Sequence, residues 1–188
     1  MSAAPVAKVK IVNGVDVNAL NDMTLAVKGN AEIAKFNFRA TNKWIRGDKN
    51  RTTIKDFSGA LGEHRNNIQA FIVDSAEPDV LLGHDEAPSA LEWLLHALIG
   101  CMTTTTTYHA AARNIAIEAI DSQIEGDLDL RGFLGISPEV RKGYGAIRVR
   151  MRVKTKAESA AIKDLTAFSP ILDVVSRSVP VSVNVETY

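Results

Sequence analysis

The chain has 188 residues, close to the usual size of one domain, and 46% of them are hydrophobic, an ordinary share for a globular protein with a single core. Lys and Arg total 22 and Asp and Glu total 22, so the formal charge is zero and no long-range field draws the chain to nucleic acid or to anionic lipid. The single cysteine, Cys101, excludes an internal disulfide and fits a reducing, cytoplasmic setting.

Neither a secretory signal nor a membrane span is expected. Met1 to Lys8 lacks a basic start followed by an apolar core. The most apolar stretch, Ala87 to Met102, is interrupted by Glu92 and His96 and falls short of the ~20 residues a bilayer span needs.

In chain order, a short strand at Val9 to Val12 is followed by Asp16, a suitable cap for a helix that carries Val17, Leu20, Met23, Leu25 and Ala26 and ends near Gly29. The period then changes to two. Phe36 and Phe38 alternate with Lys35, Asn37 and Arg39, the pattern of a half-buried strand over 34–40, and Trp44-Ile45, Thr52 to Phe57 and Asn67 to Val73 read as further strands. Ala87 to Asn114 is the longest helical pattern, with Pro88 and Ser89 suited to its first turn. Thr103 to Thr107 are poor helix formers, but a threonine hydroxyl bonds back to a carbonyl one turn earlier, and the run reads as the packed second half of that helix.

Strands are expected at Ile115 to Leu130 and Gly145 to Lys154. In the second, Ile147, Val149, Met151 and Val153 share one face, and Arg148, Arg150, Arg152 and Lys154 the other. With zero net charge those cations are expected to meet solvent and acidic neighbours such as Glu118 and Glu125 rather than nucleic acid. Helices at Glu158 to Phe168 and Pro170 to Ser176 and a closing strand through Val179, Val181, Val183 and Val185 complete an α+β order. Gly126, Gly132 and Gly135 read as turn residues, since they do not open a helix as a phosphate-cradling loop must. His96 and His109 have no ligand partner at metal spacing, so neither a metal nor a cofactor is expected.

The run from Leu91 through Trp93, His96 and Gly100 to Cys101, then Tyr108 to Arg113, Glu125 to Gly135, Val140 to Tyr144, Ser169-Pro170 and Val179 to Val181 resembles the OsmC/Ohr family, the osmotically induced and organic hydroperoxide resistance proteins. The resemblance runs from about Phe36 to the C-terminus. It implies a single OsmC-like domain over residues 1–188, with residues 1–30 an N-terminal extension, folded as antiparallel sheets around a long central helix in an intertwined homodimer.

It also implies chemistry. In family peroxidases a cysteine thiolate on the central helix attacks the O–O bond of an organic hydroperoxide, an arginine lowers the thiol pKa, a carboxylate orients the arginine, and a second cysteine resolves the sulfenic acid. Residue by residue, Cys101 matches the attacking cysteine. Arg51, which follows Trp44 and Gly47, matches the activating arginine with a small offset, with Arg46 and Arg39 as substitutes. The orienting glutamate falls at Leu91, one position before Glu92, and the resolving cysteine falls at Ser169.

The catalytic candidates are therefore Cys101, Arg51 and Glu92, and clearance of an oxidised Cys101 would need an external thiol. Each also has a plain structural reading: Cys101 as a packed small hydrophobe, Glu92 as half of an ion pair near the helix start, Arg51 as a solvated turn residue. Two functions stay open, a one-cysteine thiol-dependent organic hydroperoxide reductase active in oxidative stress, and a non-enzymatic OsmC-like dimer that binds a small apolar ligand or has a structural role.

Overall fold

The computed structural model describes residues 9–65 and 67–187. In chain order the elements are β1 (Ile11–Val12), β2 (Val15–Asp16), α1 (Val17–Gly29), β3 (Asn37–Phe38), β4 (Thr41–Arg46), β5 (Lys49–Ile54), β6 (Phe57–Gly59), β7 (Gly62–His64), β8 (Phe71–Ser75), α2 (Ala90–Ala112), β9 (Ile117–Asp127), α3 (Leu130–Phe133), β10 (Ala146–Thr155), α4 (Ser159–Thr166) and α5 (Pro170–Ser176). The protein is α+β. Its chain divides into two compact units, the first built on Asp16–Leu94 and the second on Ile11–Val15 and the chain from Leu95 onward.

In the first unit Asp16 begins α1, its Oδ1 accepting from the N–H groups of Asn18 and Ala19 at 2.9 and 3.0 Å. Asn30 ends that helix and opens a short 3-10 turn over Ala31–Ala34 through its own side chain. The strand expected over 34–40 is consequently reduced to β3. Its partner β6 is three residues long and offers positions only to Asn37 and Phe38. The alternation survives as packing: the rings of Phe36, Phe38 and Phe57 gather with centroids 5.1 to 6.2 Å apart. Strand order is β3-β6-β7 in one sheet and β4-β5-β8 in the other. The strand expected at Asn67 to Val73 lies later, at β8, where Phe71 to Ser75 pair with Ile54 to Asn50.

In the second unit β1 and β2 are joined by Asn13 and Gly14, both at positive φ (53° and 78°), the Asn-Gly pairing that a tight hairpin prefers. The Asn13 side chain bonds the Ile115 carbonyl at 2.9 Å and the Ile117 N–H at 2.8 Å. One stripe of α2 is buried, Leu98, Met102, Thr106 and Ala110, each one turn from the next. The threonine run is helical: Thr103, Thr106 and Thr107 donate to the carbonyls four residues back at 2.8 to 2.9 Å, so Thr106 is fully buried with its hydroxyl satisfied.

The antiparallel ladder of β9 and β10 runs from Ala146↔Asp127 to Lys154↔Ala119. Arg148 meets Glu125 and Asp127, and Lys154 meets Glu118, so these two strand cations pair with acids across the sheet. The opposite face contributes Val153, which joins Ile115, Ile117 and Ala157 around the buried core of Ala110, Ile162 and Leu165.

Two expectations fail here. Of the three glycines expected in turns, Gly135 alone lies in a turn at positive φ (71°); Gly126 is inside β9, where an added Cβ would stand 2.6 Å from the Tyr144 ring, and Gly132 is buried in α3 against the Arg141 carbonyl. The valine segment near the C-terminus forms no strand among the described residues, and Val181, Val183 and Val185 are 80%, 78% and 78% exposed. Alternation makes a strand only where a neighbour takes up the backbone N–H and C=O groups.

Candidate thiol site

Cys101 sits half-buried on α2, and a turn between two short helices brings a hydroxyl to it. Phe168-Ser169-Pro170 links α4 to α5. Pro170 supplies the first helical position of α5 with its fixed φ, and Ser169, extended as a residue before proline must be (ψ 119°), becomes the cap. Its Oγ accepts from the Leu172 N–H at 3.2 Å, while its hydroxyl donates to Cys101 Sγ, also at 3.2 Å. Ser169 is 1% exposed. On the other side Thr105 Oγ1 lies 4.0 Å from the sulfur, one turn further along α2. The residue that the resemblance sets in the resolver's place is thus the one that touches the thiol.

Arg51 and Glu92 belong to the first unit, whereas Cys101 belongs to the second. The Arg51 guanidinium lies on Asp74, its directly opposite residue in the β5–β8 ladder, with Nε at 2.7 Å and Nη2 at 2.8 Å from the two carboxylate oxygens. Those hydrogen bonds raise the arginine and hold the Asp74 carboxyl below its usual range. The carboxylate that orients this arginine is therefore Asp74, which the sequence reading did not single out; register across strands far apart in sequence carries no local signal.

Glu92 closes a capping box with Ser89. Its Oε2 accepts from the Ser89 N–H at 2.8 Å and from the Ser89 hydroxyl at 2.9 Å, while Ser89 Oγ accepts from the Glu92 N–H at 3.3 Å and the Ser89 carbonyl takes the Trp93 N–H at 3.0 Å. The two bonds from Ser89 lower the Glu92 carboxyl. The Ser-x-x-Glu spacing was visible in the sequence. Arg46 pairs with Glu86, and Arg39 with Glu63 and Asp56.

His109 stacks on Phe168 with centroids 4.2 Å apart, and Arg113 Nη1 lies 3.1 Å from its Nδ1. Burial, then the neighbouring arginine, pushes the imidazole below its usual range. Among the described residues no three His, Cys, Asp or Glu side chains gather as a metal site would require, and no helix is long and apolar enough to cross a membrane. A cleft of about 410 Å³ in the second unit is lined by Met102, Val149, Met151, Val153 and Ile162, together with Lys163 and three hydroxyl-bearing residues.

Residues 83–184 match the family described as OsmC-like protein, more than half of the chain, and the protein belongs to that family. Its fold is shared with an OsmC-like protein from Mycoplasma pneumoniae (TM-score 0.53, 16% identity, 76% of this chain and 89% of that one covered). An OsmC-like protein of unknown function from Vibrio cholerae O1 biovar eltor superposes with a TM-score of 0.52 at 12% identity, over 76% of this chain and 93% of that one. No curated protein matches the chain.

Proposed function

We propose that this protein is a one-cysteine, thiol-dependent reductase of organic hydroperoxides. The observation that carries the reading is the contact between the sole thiol and a fully buried hydroxyl at 3.2 Å, because a hydrogen-bond donor aimed at sulfur favours thiolate, the form that attacks peroxide. Cys101 thiolate attacks the terminal peroxide oxygen, the O–O bond breaks, sulfur gives up two electrons, and the alkoxide leaves to be protonated as an alcohol. Cys101 is left as a sulfenic acid. An external dithiol then attacks that sulfur, water departs, and its second thiol releases Cys101 while the reductant becomes a disulfide.

Arg51, held in orientation by Asp74, is the cation this proposal assigns to the thiolate; Glu92 keeps a place in it through the start of α2. The assembly proposed is a homodimer of single OsmC-like domains spanning 1–188, with residues 1–30 an extension. It is supported by α2, whose apolar surface is buried on one stripe while Leu94 and Tyr108 stay 37% and 47% exposed. A reducing compartment, the cytoplasm, suits a lone thiol that needs outside reductant.

A second reading, a dimer that binds a small apolar molecule without turnover, is favoured by the cleft beside Met102. Turnover separates them. With dithiol in excess, the wild-type protein should consume tert-butyl hydroperoxide catalytically and Cys101→Ser should not; equal background consumption by both would leave the binding reading.

A further inference from the structure

We infer that Ser169 is the hydrogen-bond donor that holds the Cys101 thiolate, an additional residue of the thiol site. The inference rests on the reading of Cys101 as a reactive thiol. The hydroxyl of Ser169 has one hydrogen. As the cap of α5 its oxygen needs only to accept, and the Leu172 N–H at 3.2 Å fills that role. The hydrogen is left over, in a side chain that is 1% exposed, and it points at Cys101 Sγ at 3.2 Å.

A neutral thiol is a weak acceptor, whereas a hydrogen bond to an ionised acceptor is roughly twice as strong as a neutral one. The contact therefore strengthens when the proton leaves sulfur. Capping alone does not require the hydroxyl hydrogen to meet the sulfur. The anchored oxygen also fixes the donor's place beside the sulfur, since Ser169 Oγ cannot swing away from Cys101 without giving up the cap.

Alkylation with iodoacetamide, followed against pH, reads this without any peroxide. Ser169→Ala and Ser169→Gly both remove the hydroxyl, but glycine is a tolerated helix cap and alanine is not, so the pair separates loss of the donor from loss of the cap. Both should slow alkylation at pH 7 several-fold, with the rate at high pH unchanged, since only thiolate is alkylated. Ser169→Thr, which keeps the hydroxyl, should follow the wild-type profile. An unmoved profile in Ala and Gly, a shift in Ala alone, or a shift in all three would overturn the assignment. Because hydroperoxide turnover is scored separately, a shifted profile without turnover would defeat the peroxidase reading and leave Ser169 as the donor.

Discussion

Arg51 and Asp74 stand directly opposite each other on β5 and β8, and the guanidinium engages both carboxylate oxygens at 2.7 and 2.8 Å. The side chains are 49% and 25% exposed, so water screens the pair and it adds little to stability. What it supplies is a fixed direction for the cation. Asp74→Asn should leave the melting temperature nearly unchanged and yet slow hydroperoxide turnover, and Arg51→Ala should slow it further. Full turnover in both variants would remove Arg51 from the site.

The capping box at the start of α2 gives a stability prediction. Ser89→Ala removes an acceptor for the Glu92 N–H and a donor to its carboxylate, and should cost about 1 kcal/mol, read as a lowered denaturant midpoint at unchanged slope. An unaltered midpoint would mean that the first turn of α2 holds without its cap.

Acid should undo the same contact. The Glu92 carboxyl is lowered in the folded protein, chiefly by the Ser89 N–H, and Asp127 and Asp129 are lowered by arginine partners, Asp129 to about 2. A carboxyl depressed on folding contributes stability above its unfolded value, and that contribution is lost as pH falls through the folded value. The melting temperature should therefore hold from neutral pH to about 5 and fall below about 4, with a shallower fall in Glu92→Gln. The same acid slope in wild type and Glu92→Gln would contradict the capping contact.

Much of this arrangement was legible from local chemistry. Asp16 before α1, Pro170 at the start of α5 and the threonine run inside α2 follow from capping, from a fixed φ and from hydroxyl back-bonding, all of which act within one turn of chain. The glycines, Asp74 and the valine segment were not. Gly126 is explained by the Tyr144 ring and Asp74 by the register of β5 against β8, both partners distant in sequence. Val179 to Val185 alternate as a strand would, but alternation states only that one face is apolar, not that a neighbour exists. At the thiol site, the position of Ser169 was legible through the family resemblance, but the direction of its hydroxyl came only with the turn between α4 and α5.

The proposed dimer would cover the exposed side of α2, where Leu94 and Tyr108 lie. Light scattering at micromolar concentration should give twice the 20.4 kDa chain mass. A monomer would contradict the proposed assembly.

Geometry at the thiol also sets up a disulfide. With Ser169 Oγ already 3.2 Å from Cys101 Sγ, Ser169→Cys puts a second sulfur within a small side-chain rotation of the ~2.05 Å bond length. Mild peroxide should remove both thiols together, without intermolecular products. Independent loss of the two thiols would mean that the turn before α5 does not hold residue 169 against α2.

The most direct measurement is on Cys101 itself. The intact protein, treated with one equivalent of tert-butyl hydroperoxide without reductant, is analysed by mass spectrometry with a sulfenic-acid trap. Labelling of Cys101 by the trap, faster for the organic peroxide than the same labelling of a small free thiol and prevented by dithiol added before the trap, is the expected result. Oxidation of Cys101 no faster than that of the free thiol would contradict the account and leave the residue as a packed thiol on α2.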